Sequence, residues 1–188
     1  MKKGKLFVIS GASGVGKGTV LGLAMKQRSD LEFSVSATTR ARREDKEIDG
    51  VHYYFVTKEK FEEMIRAGAF LEYDAHTDHY YGTPLAQLEE KLSRGHVLLD
   101  IEPKGAAIVR EKRPDATLIF IMPPSMEELE RRLRGRADTS EDQIQKRLVR
   151  AVWEMEQRFW YDHVVVNDDA DRCAEEILHI IADVADKN

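Results

Sequence analysis

The chain has 188 residues, of which 42% are hydrophobic, and its formal net charge is −5. This length suits one globular domain, and the acidic balance argues against a protein that binds nucleic-acid polymers. A single cysteine, Cys173, excludes a disulfide within the chain and a zinc cluster, and no apolar run has the length of a signal-peptide core or a membrane span. These features predict a cytoplasmic protein with no membrane partner.

The first predicted element is a buried strand that runs into a glycine-rich loop. Leu6–Ile9 is a continuous apolar run, the pattern G-x-x-x-x-G-K follows from Gly11 to Lys17, and a helical pattern comes next. Strand, loop and helix in this order are typical of a phosphate-binding loop, whose backbone N–H groups, helix N-terminus and lysine hold a polyphosphate. The alternative is a simple glycine turn, which the flanking strand and helix disfavour.

The loop departs from the usual motif at one position. Ser or Thr commonly follows the lysine as a Mg²⁺ ligand, whereas here Gly18 stands there and Thr19 comes next. Contact of Thr19 with an α-phosphate or a water therefore stays open beside direct coordination of Mg²⁺. The predicted polyphosphate-binding residues of the loop are Gly11, Ala12, Ser13, Gly14, Val15, Gly16, Lys17, Gly18 and Thr19.

Three further apolar runs, at 97–99, 118–121 and 164–166, predict buried strands separated by helical patterns. This alternation predicts an α/β fold with a parallel sheet flanked by helices. Capping boxes that would start two of the helices are Ser125 with Glu128 and Ser140 with Gln143.

Residues 34–96 interrupt this alternation with an arginine-rich turn, a strand at 53–56 and two short helices. They read as an insertion into the α/β core, and a polar, basic stretch near residue 134 reads as a second, smaller one. The predicted organisation is one domain, 1–188, with a core at 1–33, 97–133 and 147–188, an insertion at about 34–96 and a short lid at about 134–146.

An acid and two arginine clusters are the candidates for chemistry beyond the loop. Asp100 ends a predicted strand, where it would lie near a loop-bound Mg²⁺ or simply cap a turn. Arginines cluster at 40–43 and at 131–136, and Arg147 follows. Such runs are often solvated faces or nucleic-acid patches, but beside a phosphate loop they fit two anionic substrates better.

Several segments match one family in order and spacing. They are Ser36-x-Thr38-Thr39-Arg40-x-x-Arg43, Gly50-x-x-Tyr53-x-Phe55, Phe70-Leu71-Glu72-Tyr73, Tyr80-Tyr81-Gly82-Thr83, Leu99-Asp100-Ile101-Glu102-x-x-Gly105, Arg132-Leu-x-Gly-Arg136, Lys146-Arg147-Leu148 and Val166-Asn167-Asp168-Asp169. Over nearly its whole length the chain resembles the guanylate kinases. The resemblance implies the fold of a phosphate-loop kinase, with an inserted nucleoside-monophosphate-binding subdomain and a short lid.

The resemblance also implies an acceptor site for GMP. Glu72 would accept hydrogen bonds from the guanine N1–H and 2-amino groups, and hydroxyl groups of the protein would donate to O6. Arginines and tyrosines would hold the phosphate. Read alone, Thr83 could instead be the helix cap before Pro84, and Ser36 and Glu72 could be surface residues of strands. The implied GMP-binding residues are Ser36, Arg40, Arg43, Tyr53, Glu72, Tyr81, Thr83, Asp100 and Glu102. The family often has Asp where Glu102 stands, so a role for Glu102 near guanine and one near Mg²⁺ both stay open.

The donor site implied by the resemblance binds ATP through the loop, Arg132 and Asn167. The implied catalytic residues are Lys17, Arg40, Arg136 and Arg147. Mg²⁺ is the implied cofactor, with Thr19 and Asp100 as candidate ligands, directly or through water. The predicted reaction is phosphorylation of GMP, and by extension dGMP, at the expense of ATP. Two alternatives stay open: another phosphotransferase on this scaffold, and a non-catalytic, guanylate-kinase-like protein-binding module.

Overall fold

A computed structural model describes residues 4–44, 46–76, 78–135 and 140–186. None of the helices in these ranges is long and apolar enough to cross a membrane. In chain order the elements are β1 (Leu6–Gly11), α1 (Lys17–Gln27), β2 (Leu31–Phe33), β3 (Ala37–Thr38), β4 (Tyr54–Phe55), α2 (Lys58–Arg66), β5 (Phe70–His76), β6 (His79–Pro84), α3 (Leu85–Leu92), β7 (His96–Asp100), α4 (Pro103–Lys112), β8 (Thr117–Met122), α5 (Met126–Arg134), α6 (Glu141–Glu156), a 3₁₀ turn (Gln157–Trp160), β9 (His163–Val166) and α7 (Ala170–Asp186).

Five strands form a parallel sheet with the order β2-β7-β1-β8-β9. The predicted α/β fold with helices flanking a parallel sheet is therefore confirmed. The strand β1 is buried along its whole length, and its register with β8 sets Gly11 opposite Ile121. Because parallel strands end at the same edge of a sheet, the glycine-rich loop begins at that edge.

The last strand of the sheet differs from its prediction. Residues 164–166 were expected to be buried, and β9 does pair with β8, but only Val165 is buried. The exposed fractions of Val164 and Val166 are 44% and 45%. This strand lies at the end of the strand order, where one of its faces is left uncovered.

Of the two capping boxes predicted from the sequence, one forms completely and the other forms in part. Ser140 and Gln143 form a complete capping box at the start of α6. Ser125 accepts a hydrogen bond from the backbone N–H of Glu128, but the second half of this predicted box is wrong. The Glu128 carboxylate binds the guanidinium groups of Arg131 and Arg132 instead, where both partners of each hydrogen bond carry a charge.

A second sheet of four strands, ordered β4-β3-β6-β5, was predicted only through its β4 strand. It contains a hairpin of β5 and β6, with Asp78 in the left-handed region (φ 65°) at the turn. Helix α2 covers one face of this sheet, where the Phe61 ring stacks on Phe70 at 4.4 Å and on Tyr80 at 5.2 Å between centroids. The sheet therefore has a small apolar core of its own.

The chain divides into two compact units. The first comprises Met1–Leu6, Asp30–Leu99 and Lys104–Ala116, and the second comprises Phe7–Ser29, Asp100–Pro103 and Thr117–Asn188. The predicted insertion at 34–96 lies within the first unit, and the glycine-rich loop lies within the second.

Candidate active site

The glycine-rich loop turns sharply between β1 and α1, and glycine is needed to make that turn. Gly14 and Gly16 have φ values of 89° and 94°, in the left-handed region that other residues rarely adopt. A Cβ on Gly14 would lie 2.6 Å from a methyl carbon of Leu133, and the N–H of Val15 donates to the carbonyl of Ala12 at 3.0 Å. The loop therefore follows a sharp turn that only glycine accommodates at positions 14 and 16.

Gly14→Ala is expected to lower the free energy of unfolding by about 2–4 kcal/mol, because it combines backbone strain with a clash against Leu133. Gly18→Ala is the matched control, since a Cβ there meets nothing within 4 Å and Gly18 lies in α1. We expect Gly18→Ala to change stability by no more than a gain of about 1 kcal/mol. Chemical denaturation of both variants measures the difference, and equal losses would contradict it.

Two predicted ATP-binding residues hold the loop itself. The side-chain amide of Asn167 donates to the Val15 carbonyl at 2.7 Å, and the Arg132 guanidinium donates to the same oxygen at 3.2 Å. Arg132 also donates to the backbone carbonyl of Asn167 and pairs with Glu128. Contact of Arg132 and Asn167 with ATP stays a prediction, and their observed contacts fix the shape of the loop.

Lys17 and Asp100 come together at the start of α1. The Lys17 Nζ lies 3.4 Å from the Asp100 Oδ1, with both side chains about a quarter exposed. The segment after Asp100 is tied to β1, because Ile101 donates to the Ile9 carbonyl and the Ser10 hydroxyl donates to the Ile101 carbonyl. Asp100 is thereby held beside the loop lysine, as the order of strand and loop predicts.

Three other residues, Thr19, Arg147 and Arg136, were predicted to lie in the donor site or to take part in catalysis. Thr19 is exposed in the first turn of α1. Arg147 is half-buried on α6, and Arg136 lies outside the described residues.

Sequence reasoning missed a chain of charges beneath the loop. The buried Glu154 of α6 accepts a hydrogen bond from the Ser13 N–H at 2.7 Å and pairs with Arg150 at 2.8 Å. Arg150 also pairs with Glu102, which had been assigned to GMP or Mg²⁺. The one signal in the sequence is that Glu154 follows Arg147 by about two helical turns and so shares its side of α6.

In the first unit, four of the predicted GMP residues, Ser36, Tyr53, Tyr81 and Thr83, lie on one face of the small sheet. Strand pairing sets Thr38 level with Tyr81 and Phe55, and continuing the β3–β6 register by one residue sets Ser36 opposite Thr83. Side chains alternate between faces, so Tyr53 falls on this face as well. The opposite face carries the side chains that pack on α2, including Ala37, Tyr54, Val56 and Tyr80.

Glu72 reaches its place through an irregularity in β5. Phe70 pairs with Pro84 and Tyr73 with Gly82, so Leu71 and Glu72 together oppose one residue, Thr83. Such a β-bulge redirects side chains, and here it leaves both Leu71 and Glu72 buried. The Thr83 hydroxyl donates to Glu72 Oε1 at 2.5 Å, so Thr83 serves Glu72, and α3 begins only at Leu85 with Pro84 as its N-cap.

Burial raises the pKa of the Glu72 carboxyl above its ordinary value, although the Thr83 hydroxyl acts in the opposite direction. The exposed fraction of Glu72 is 4%. A carboxyl with a raised pKa destabilises the folded chain when it ionises, so its contribution to stability falls as the pH rises past the ordinary value. A ligand with two N–H donors would replace the hydrogen bonds to water that the ionised carboxylate loses on burial.

Arg40 is held by a residue that the sequence analysis did not assign. Glu47 accepts two hydrogen bonds from the Arg40 guanidinium, at 2.6 and 3.0 Å, and a third from the Arg43 N–H at 2.9 Å. The guanidinium also lies over the Tyr53 ring at 5.5 Å, and the rings of Tyr53 and Tyr81 meet edge to face at 6.0 Å. Arg40, Tyr53 and Tyr81 are thus brought together, while the Arg43 side chain is exposed.

The Glu47–Arg40 pair predicts a measurable pH dependence. The hydrogen bond from Arg40 is the main reason that the pKa of Glu47 falls from 4.5 to about 2. A lowered pKa gives stability that is present above the ordinary value and is lost as the pH falls from 4.5 towards 2. Glu47→Gln should therefore flatten the dependence of unfolding midpoints on pH in this range, whereas Glu44→Gln, an exposed change in the same turn, should retain it. A parent-like slope in Glu47→Gln would contradict the assignment.

Comparison with known proteins agrees with this geometry. A family model described as guanylate kinase matches residues 3–184. Guanylate kinases of Rubrobacter xylanophilus and Clostridioides difficile are 48% and 46% identical to the chain, over 96% and 100% of it and 95% and 91% of their own lengths. A crystal structure of guanylate kinase from Anaplasma phagocytophilum matches with a TM-score of 0.79 at 33% identity, covering 99% of this chain and 88% of that one. The chain therefore belongs to the guanylate kinase family.

Proposed function

We propose that the chain catalyses transfer of the γ-phosphoryl group of ATP to GMP, giving ADP and GDP. The observation that carries the acceptor assignment is the buried Glu72 carboxylate, bonded to Thr83 in the bulge of β5. Family membership and the glycine-rich loop support ATP as the donor.

Guanine is the base that fits Glu72. Its N1–H and 2-amino groups are adjacent donors, and one carboxylate accepts both. Adenine presents an acceptor at N1, which would leave the buried carboxylate unpaired, and such a mismatch is rejected strongly. Ser36 lies in the same row of the sheet as Thr83, and its hydroxyl group can donate to O6 of the base, since the Thr83 hydroxyl already donates to Glu72.

The acceptor phosphate needs charge neutralisation and no general base. The second pKa of a phosphate monoester is about 6, so the attacking oxygen of GMP is already largely ionised at neutral pH. Arg40, oriented by Glu47 and the Tyr53 ring, presents a planar cation that binds phosphate oxygens in a fork. The family resemblance adds Arg43, Tyr81, Arg136 and Arg147 as further donors, of which Arg136 lies outside the described residues.

On the donor side, the loop amides and Lys17 would hold the ATP phosphates. Thr19 and Asp100 offer the hard oxygen atoms that Mg²⁺ prefers, and no group of three or more His, Cys, Asp or Glu side chains gathers elsewhere in the described ranges. This set fits an ion that keeps several waters and binds mainly through substrate phosphates. When bound, Mg²⁺ would neutralise charge on the transferring phosphoryl group.

The test is release of ADP from ATP with a panel of GMP, dGMP, AMP and UMP. We expect activity with GMP and dGMP only. Activity with AMP or UMP but not GMP would favour another phosphotransferase, and silence with every acceptor would favour the binding module. The cytoplasmic location and the absence of nucleic-acid partners stay predictions from the sequence.

A further inference from the structure

We infer that Glu154 is a positioning residue for the donor nucleotide, because it holds the phosphate loop through the N–H of Ser13. The inference rests on the proposed function, in which the loop binds ATP. It concerns a buried carboxylate of α6 that the mechanism described so far does not use.

Glu154 and the Asn167–Arg132 pair hold the loop on either side of Gly14. Glu154 Oε2 accepts from the Ser13 N–H at 2.7 Å, and Asn167 and Arg132 donate to the carbonyl of Val15. Gly14, between these two anchors, has a left-handed backbone (φ 89°) that sets the course of the chain into the rest of the loop. The path of the loop backbone therefore depends on both anchors.

The carboxylate is placed there at an electrostatic disadvantage. Only 3% of Glu154 is exposed, and a negative charge beside an anion-binding loop repels the phosphates it should bind. Arg150 offsets this charge at 2.8 Å and pairs at the same time with Glu102. Burial alone would lower the pKa of the Arg150 guanidinium, but the attraction of the two carboxylates outweighs it, so the pKa is raised.

Arg150 links the phosphate loop, through Glu154, to the segment 100–102, which carries Asp100, the partner of Lys17. Glu102 follows Asp100 by two positions, and Asp100 pairs with Lys17 at 3.4 Å. The contacts thus form a closed ring from Ser13 through Glu154, Arg150 and the 100–102 segment back to Lys17. Such a ring sets the loop amides and the lysine in one arrangement, which is what a polyphosphate site requires.

Two substitutions separate the acceptor atom from the charge. Glu154→Ala removes both, so we expect the Kd for ADP with magnesium chloride to rise about tenfold and kcat/KM for ATP to fall about 30- to 100-fold. Glu154→Gln keeps an oxygen that can accept from Ser13 and removes the charge, so ADP should bind within about threefold of the parent or more tightly. Glu156→Gln, an exposed change on the same helix, should match the parent.

Calorimetric titration of each variant with ADP and, separately, with GMP gives the decisive comparison. Loss of ADP affinity in Glu154→Ala with unchanged GMP affinity, and its rescue in Glu154→Gln, is the expected result. Parent-like ADP binding in Glu154→Ala, or an equal fall in ADP and GMP affinity together with the thermal midpoint, would overturn the inference. So would a Glu154→Gln variant as weak as the alanine variant. ADP binding needs no turnover, so a parent protein that fails to phosphorylate GMP counts against the proposed function alone.

Discussion

Replacing Lys17 with alanine is expected to lower kcat by about 10³-fold, which corresponds to about 4 kcal/mol of transition-state stabilisation. Phosphoryl transfer brings two polyanions together, and charge on the transferring group is the main barrier that a protein can lower. Lys17 is the cation that the loop places at the start of α1, next to Asp100. Steady-state rates at saturating ATP and GMP measure the loss.

Binding of GMP separates this effect from a general defect. Lys17 pairs with Asp100, whereas Glu72 and Arg40 are held by Thr83 and Glu47 and share no partner with Lys17, so the Kd for GMP should stay within about twofold. Stability should change by less than about 1 kcal/mol, since the Lys17–Asp100 pair is partly exposed to solvent. Lys26→Ala, at the exposed end of the same helix, is the control with a parent-like kcat. A Lys17→Ala enzyme that retains a tenth of the parent rate would remove the lysine from the mechanism.

The loop and its surroundings could be predicted because their determinants are local. An apolar run, three glycines with special backbone roles and a lysine lie within a dozen residues, and they lead to one strand–loop–helix arrangement. The position of Asp100 followed from a general rule, since parallel strands deliver their ends to one edge of the sheet. Apolar runs separated by helical patterns likewise predicted the alternation of strands and helices around the larger sheet.

The small sheet shows where sequence reasoning ends. Its β5–β6 hairpin contains a bulge that buries Leu71 and Glu72 consecutively, against the alternation that a strand pattern assumes. Gly82 makes this possible, because a Cβ there would lie 2.9 Å from the Cβ of Tyr73 and 3.0 Å from the carbonyl oxygen of Glu72. Close approach between strands depends on the assembled sheet, so it leaves no periodic signal in the sequence.

The supporting carboxylates were missed for a related reason. Glu47 lies in a turn and Glu154 on a helix, and neither belongs to a motif with fixed spacing. Their roles come from contacts made only in the folded chain, between Glu47 and Arg40 and between Glu154 and the N–H of Ser13. Long-range contacts of this kind decide how a binding side chain is oriented, whereas short motifs reveal only which side chains bind.

Replacing Glu72 with glutamine is expected to lower kcat/KM for GMP by about 10²–10³-fold, because two charge-assisted hydrogen bonds of about 1.5–3 kcal/mol each are weakened or lost. The glutamine amide presents its own N–H donors to a base edge that consists of donors, so one contact becomes repulsive. Discrimination against AMP should fall in the same variant. Initial rates with varied GMP and AMP at saturating ATP measure both changes, and Glu63→Gln, an exposed change on α2, serves as control.

The stability of the same variant decides whether Glu72 serves binding or the fold. Burial raises the pKa of Glu72, so ionisation at neutral pH destabilises the folded chain, and a neutral glutamine relieves that penalty while it can still accept from Thr83. We therefore expect the free energy of unfolding of Glu72→Gln at pH 7 to equal or exceed that of the parent, with the difference vanishing below the ordinary pKa of a carboxyl. A residue kept for packing would show the reverse, a loss of stability in step with the loss of activity. A gain in stability together with a loss of GMP affinity is the result expected if the buried Glu72 carboxylate serves to bind the two donors of guanine.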